Sequence, residues 1–318
     1  METLTKILEQ IDSLVWGVPL MVLILAGGIL LTCRMRVLQL RKLPLALKWM
    51  VKNEEDGEGE VSSFGALCTA LSATIGTGNI VGVATAVCAG GPGALFWMVV
   101  AAFLGMATKY AEGLLAVKYR VVDETGHSLG GPFYYIERGM GPKWKWLAKL
   151  FAFFGVLVGL LGIGTITQVN GIANAVRSFF DPENTHTVML PGIGEYSIFV
   201  IGASVVVAVF VALVLIGGIK RISSVAQVIV PFMAIIYVAL CLILIVCNLS
   251  AVPAAVVTVV RGAFSPSAVT GGVVGSMFVA MQKGVSRGIF SNEAGLAPLR
   301  LQRRQRRPRS RSVRAWYP

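Results

Sequence analysis

From Val61 to Thr108 the chain carries no Asp, Glu, Lys, Arg or His, a stretch of 48 uncharged residues. Few folds accept such a run. One membrane-crossing helix needs ~20 consecutive apolar residues, so the run has room for two crossings. Its first half contains Leu71-Ser72-Ala73-Thr74-Ile75-Gly76-Thr77-Gly78-Asn79-Ile80-Val81. A continuous crossing helix has no local need for these residues at its centre. Gly76 and Gly78 each weaken a helix by ~1 kcal/mol relative to Ala. Thr and Asn bring hydrogen-bonding groups that hydrocarbon cannot satisfy. The stretch therefore predicts a helix broken within the membrane.

A break exposes backbone N–H and C=O groups at membrane depth, which is tolerable only where they line a polar cavity. Half-helix ends of this kind form substrate and ion sites in transporters. Two other readings stay open. Small residues such as Gly76 and Gly78 also let helices approach closely. A dinucleotide fingerprint is a poor match, because Gly82 comes one place late for G-x-G-x-x-G and no soluble βαβ unit surrounds it.

Composition agrees with a membrane chain: 55% of residues are apolar and only 14% charged. Soluble domains carry ~25% charged residues. The formal charge of +12 is dominated by arginines near the C-terminus, from Arg300 to Arg314. The five cysteines lie in or beside apolar runs and form no C-x-x-C spacing, so they read as small buried hydrophobes. The two histidines, His127 and His186, have no partner pattern. Neither a metal site nor a nucleophile–base arrangement is legible, and the chain is not expected to be an enzyme.

Apolar runs predict an all-α polytopic membrane protein with seven spans at 13–33, 64–88, 95–115, 150–176, 196–219, 223–247 and 268–282. The first run is too long, and its acidic flank wrong, for a cleaved signal peptide. Residues Leu38 to Val51 read as an amphipathic helix along the membrane surface. Lys109 and Glu112, three apart near the end of the third span, are placed to pair. The fourth span carries Thr165, Thr167, Gln168, Asn170 and Asn174. Such a polar concentration favours a cavity lining, although Gln168 could instead bond a neighbouring helix. The loop from Gly130 to Lys149 is basic and aromatic, and its aromatic rings are expected at the membrane interface. Three loops on one side hold fourteen Lys and Arg, against three on the other. By the positive-inside rule the N-terminus lies outside.

Four strings resemble one family, the alanine-or-glycine:cation symporters of prokaryotes. They are ALSATIGTGNIVGVATA, GMATKYAEGLLAVKYR, GGPFYYIERGMG and GVSRGIFSNEAGL, and the resemblance runs from about Phe64 to Leu296. It implies a leucine-transporter-type inverted-repeat fold with one extra N-terminal helix, here the 13–33 span. It implies sodium-coupled symport of alanine or glycine across the prokaryotic plasma membrane by alternating access, with the lipid bilayer as surroundings. Sodium is then cargo, no cofactor is expected, and neither is a nucleic-acid partner. The same resemblance gives Thr77, Gly78, Asn79, Gln168, Thr270, Gly271 and Gly272 as substrate-binding residues. The carbonyls of Ser72, Thr74 and Ile75, with the Asn79 side chain, would face sodium.

After Leu296 the chain departs from that family. Residues 297–318 run Ala297-Pro298-Leu299-Arg300 and on through an arginine-rich stretch. This switch reads as a shifted reading frame that leaves the second repeat incomplete. The alternative is a genuine tail that binds anionic lipid or nucleic acid. A truncated membrane protein without transport activity is the alternative function.

Overall fold

Where helices start and stop follows from local chemistry. A computed structural model describes residues 2–15, 17–51, 63–122, 128–190, 194–264, 268–270, 273–275 and 277–293. Helix α1 spans Glu2–Val15 and α2 spans Val18–Arg34. Pro19 sits in the first turn of α2, where its missing N–H costs nothing. The first predicted span, 13–33, is thus corrected at its start, since Ser13 to Val15 belong to α1. Helices α3 (Leu38–Arg41) and α4 (Leu43–Val51) together occupy the predicted surface helix, divided at Lys42.

Helix α5 (Ser63–Thr74), a 3₁₀ turn at Thr77–Asn79 and α6 (Val81–Gly90) replace the second span by two helices with a break between them. Helix α7 (Gly93–Lys118) is one long apolar helix. Strands β1 (Val121–Val122) and β2 (Ser128–Leu129) form a short hairpin, followed by α8 (Pro132–Gly139). Helices α9 (Lys145–Leu161) and α10 (Ile163–Phe180) occupy the fourth span, which is therefore not one helix. The divider is Gly162, whose φ of +59° is costly for any residue with a Cβ. Strands β3 (Thr187–Leu190) and β4 (Gly194–Ser197) make a second hairpin. Helices α11 (Ile198–Ile216) and α12 (Gly218–Cys247) follow. Helix α13 covers Val252–Phe264.

The seventh predicted span, 268–282, is corrected. It holds strands β5 (Ala268–Thr270) and β6 (Val273–Gly275), paired antiparallel, and then α14 (Met277–Asn292). Val269, Val273 and Val274 are β-branched, and the two residues between the strands are both glycine. That composition favours a hairpin over a helix. An apolar run this short does not distinguish the two by periodicity.

Among the described residues four stretches are long and apolar enough to cross a membrane: Gly93–Lys118, Pro142–Phe180, Ile198–Ile216 and Lys220–Cys247. Helix α11 has no charged residue and no buried one, so it is apolar on every face. In water such a helix would be untenable; in lipid it is the expected surface.

The chain forms two units. One gathers Met1–Pro44, Thr74–Glu112 and the chain from Met233 to the end of α14; the other gathers Leu45–Ala73 and Gly113–Phe232. In the first, Met21 of α2, Ala101 of α7 and Val285 and Ile289 of α14 form a buried cluster. Helix α14 approaches α7 closely because Gly284 and Gly288 lack side chains there. A Cβ on Gly284 would lie 2.3 Å from the Ala94 carbonyl oxygen. Trp97 donates its indole N–H to the Ala263 carbonyl at 3.2 Å and ties α13 to the same helix. The predicted pair of Lys109 and Glu112 is present, with Nζ–Oε2 at 3.7 Å. In the second unit, Cys68, Ala226 and Val230 form a buried cluster, and Phe180 stacks on Phe199 between α10 and α11.

Asp181, just past α10, organises the second hairpin. Its carboxylate accepts from the N–H groups of Thr185 (2.8 Å) and His186 (3.2 Å) and from the hydroxyls of Thr185 and Ser197, both at 3.1 Å. Burial works to raise its pKa. The four donors outweigh burial and hold the group at about 2, below its ordinary 3.8. A depressed pKa stabilises the hairpin above pH 3.8, and that contribution is lost as pH falls toward 2. We expect amide exchange at Thr185 and His186 to accelerate over that window. In Asp181→Asn exchange should already be fast at neutral pH, with no further acid step.

Candidate functional site

The break is built by three residues that resist helix and by one side chain that bridges the gap. Gly76 is extended, at φ −154° and ψ −161°, so the chain leaves the helical path there. It re-enters through the 3₁₀ turn, in which the Asn79 N–H donates to the Gly76 carbonyl at 3.0 Å and the Ile80 N–H to the Thr77 carbonyl at 3.2 Å. Helix α6 then begins at Val81 with Ile80 at its cap, and no side chain caps it. A helix start without a side-chain cap presents N–H groups and a partial positive charge. Residues 74–79 are all half-buried.

Asn79 spans the break. Its amide Nδ2 donates to the Thr74 carbonyl at 2.9 Å. Its Oδ1 accepts from the hydroxyl of Ser291 on α14. A Cβ on Gly78 would meet the Phe290 ring at 3.5 Å, so the neighbouring pair on α14 abuts the neighbouring pair in the break. Thr74, Ile75, Thr77, Gly78 and Asn79 all lie at this break.

The other predicted residues are placed as follows. Ser72 lies on α5 in the second unit, and its hydroxyl turns back to the Thr69 carbonyl of its own helix at 2.7 Å. Gln168 lies half-buried on α10, also in the second unit. On its helix the Asn174 side-chain amide donates to Asn170 Oδ1 at 3.0 Å, and the Thr167 hydroxyl donates to the Gly164 carbonyl at 2.9 Å. Thr270 is the last residue of strand β5. Gly271 and Gly272 lie outside the described residues, as does the arginine-rich segment.

Ser291 and Phe290 were not legible as site residues. Their signal was present in the GIFSNEAGL string, but nothing local says which residue of that string reaches the break.

The sodium:alanine symporter family matches residues 1–299. The chain belongs to that family. The family is one of transporters. The sodium/alanine symporter AgcS of Methanococcus maripaludis is 45% identical over 297 residues, covering 92% of this chain and 61% of that protein. A Haemophilus influenzae protein described as an uncharacterized transporter is 53% identical over 295 residues, with coverages of 92% and 61%. The putative sodium/proton-dependent alanine carrier YrbD of Bacillus subtilis is 41% identical over 286 residues, 90% of this chain and 54% of that protein. The chain therefore spans about 61% of the length of the first two relatives.

Proposed function

We propose that the chain binds sodium and a small neutral amino acid, alanine or glycine, at the 74–79 break, and carries them together across the prokaryotic plasma membrane. The observation that supports this most is the break itself, bridged by Asn79, in a member of the sodium:alanine symporter family. The N–H groups of Thr77 and Gly78 suit a carboxylate, as helix N-termini suit anions. Carbonyls of Thr74 and Ile75, with Ser72 and Asn79 Oδ1, offer hard oxygen ligands of the kind alkali and alkaline-earth cations take. The family resemblance adds Gln168 of α10 as a substrate contact, and Thr270, Gly271 and Gly272 as acceptors for its ammonium group. The arrangement is of the leucine-transporter type, with the N-terminus outside and basic loops inside. Transport proceeds by alternating exposure of the one site, with no covalent step.

Gln168→Ala tests the substrate side. We expect alanine uptake to fall by roughly tenfold, as for loss of a hydrogen bond to a charged group, with membrane insertion unchanged. Full uptake by this variant would remove Gln168 from the site.

A further inference from the structure

Two consecutive residues of α14 meet two consecutive residues of the break: Phe290 against Gly78, and Ser291 against Asn79. The Asn79 and Ser291 partners are 212 positions apart in sequence. Helix α14 delivers them rigidly. Val285 and Ile289 are buried with Met21 and Ala101, and Gly288 lies close against the same helix, where a Cβ would sit 3.0 Å from Ala101 Cβ and 3.3 Å from the Met98 carbonyl oxygen.

The chemistry of the bridge fixes the orientation of the Asn79 amide. The Thr74 carbonyl can only accept, so the Asn79 nitrogen must face it. The amide oxygen is then the atom toward Ser291, whose hydroxyl donates to it. An amide oxygen has two lone pairs, and one donated hydrogen bond leaves the other for a cation. Without the hydroxyl, the amide keeps one anchor and turns about it.

We propose that Ser291 is a positioning residue. Its hydroxyl holds Asn79 Oδ1 in the orientation a cation needs, and with Phe290 on Gly78 it ties α14 to the break. The inference rests on the sodium-site reading given above. It adds that the Ser291 hydroxyl couples occupancy of the break to α14.

The test is amide hydrogen exchange across residues 76–81 of the full 318-residue chain in lipid nanodiscs, titrated with sodium at constant ionic strength against choline. In the unaltered chain, sodium should slow exchange there. In Ser291→Ala the sodium midpoint should rise about fivefold, the worth of one neutral hydrogen bond. Ser291→Thr keeps the hydroxyl and should keep the original midpoint, which loss of packing alone would not restore. If Ser291→Ala does not fold, Ser291→Cys, of similar size and a weak donor, takes its place with the same two outcomes. A midpoint unchanged in the hydroxyl-less variant overturns the inference. No response to sodium in the unaltered chain, or an unchanged response in Asn79→Ala, overturns the site reading itself and the inference with it.

Discussion

Replacing Asn79 by Ala is expected to abolish sodium-dependent uptake while leaving the chain in the membrane. The substitution removes both ends of the bridge at once. Thr74 loses the amide donor at 2.9 Å, and the Ser291 hydroxyl loses its acceptor. It also removes the one side-chain carbonyl that the break offers to a cation among Thr77, Gly78 and Asn79. A hydrogen bond to a charged partner contributes ~1.5–3 kcal/mol, which corresponds to a fall of roughly tenfold to a hundredfold in sodium affinity. The fold should survive, because helices α5 and α6 end on either side of the break and their own backbone bonds do not pass through Asn79. Uptake measured beside membrane content separates the two effects. Normal uptake in Asn79→Ala would sink the assignment.

Gly284 is expected to be the position least tolerant of enlargement in α14. A Cβ there would lie 2.3 Å from the Ala94 carbonyl oxygen and 2.8 Å from Trp97 Cβ, so backbone must shift to admit even Ala. Overpacking of this kind costs ~1–3 kcal/mol and sometimes more. Gly284→Leu should therefore lower the thermal midpoint of the purified chain sharply or prevent its recovery in folded form, with Gly284→Ala intermediate. Gly159→Ala supplies the contrast. That glycine lies exposed within α9 with nothing within 4 Å of its would-be Cβ. Its replacement should be neutral or stabilising by up to ~1 kcal/mol through helix propensity alone. Equal thermal midpoints for Gly284→Ala and Gly159→Ala would contradict the close approach of α14 to α7.

The sequence revealed the break because two glycines and two hydrogen-bonding side chains conflict with an apolar helix over a short distance. Conflicts of that kind are local, and local reasoning finds them. The division at Gly162 was invisible for the opposite reason. A glycine within an apolar run is equally compatible with close helix packing, and only its positive φ, set by the surrounding fold, makes it a divider. The 268–282 run was read as a helix because hydrophobicity without periodicity leaves strand and helix undecided. The charge pair of Lys109 and Glu112 was legible, since helical spacing alone brings it together. Ser291 was not, since its partner is distant in the chain and no spacing rule links the two.

The arrangement at the break also accounts for the weight of the GVSRGIFSNEAGL string in the resemblance. Gly284 and Gly288 allow α14 to seat against α7, Val285 and Ile289 fill the buried cluster, and Phe290 and Ser291 reach Gly78 and Asn79. Along one helix the packing residues, 284 to 289, are followed directly by the residues that reach the break, 290 and 291, so enlarging the first group should displace the second. A substitution at Gly288 is thereby linked to the orientation of Asn79, although the two residues are not neighbours in the sequence.

Uptake of radiolabelled alanine into vesicles containing the 318-residue chain, with and without an inward sodium gradient, tests the central claim most directly. The account predicts uptake that requires the gradient and is lost in Asn79→Ala. Absence of uptake, uptake indifferent to sodium, or uptake undiminished by Asn79→Ala would contradict it.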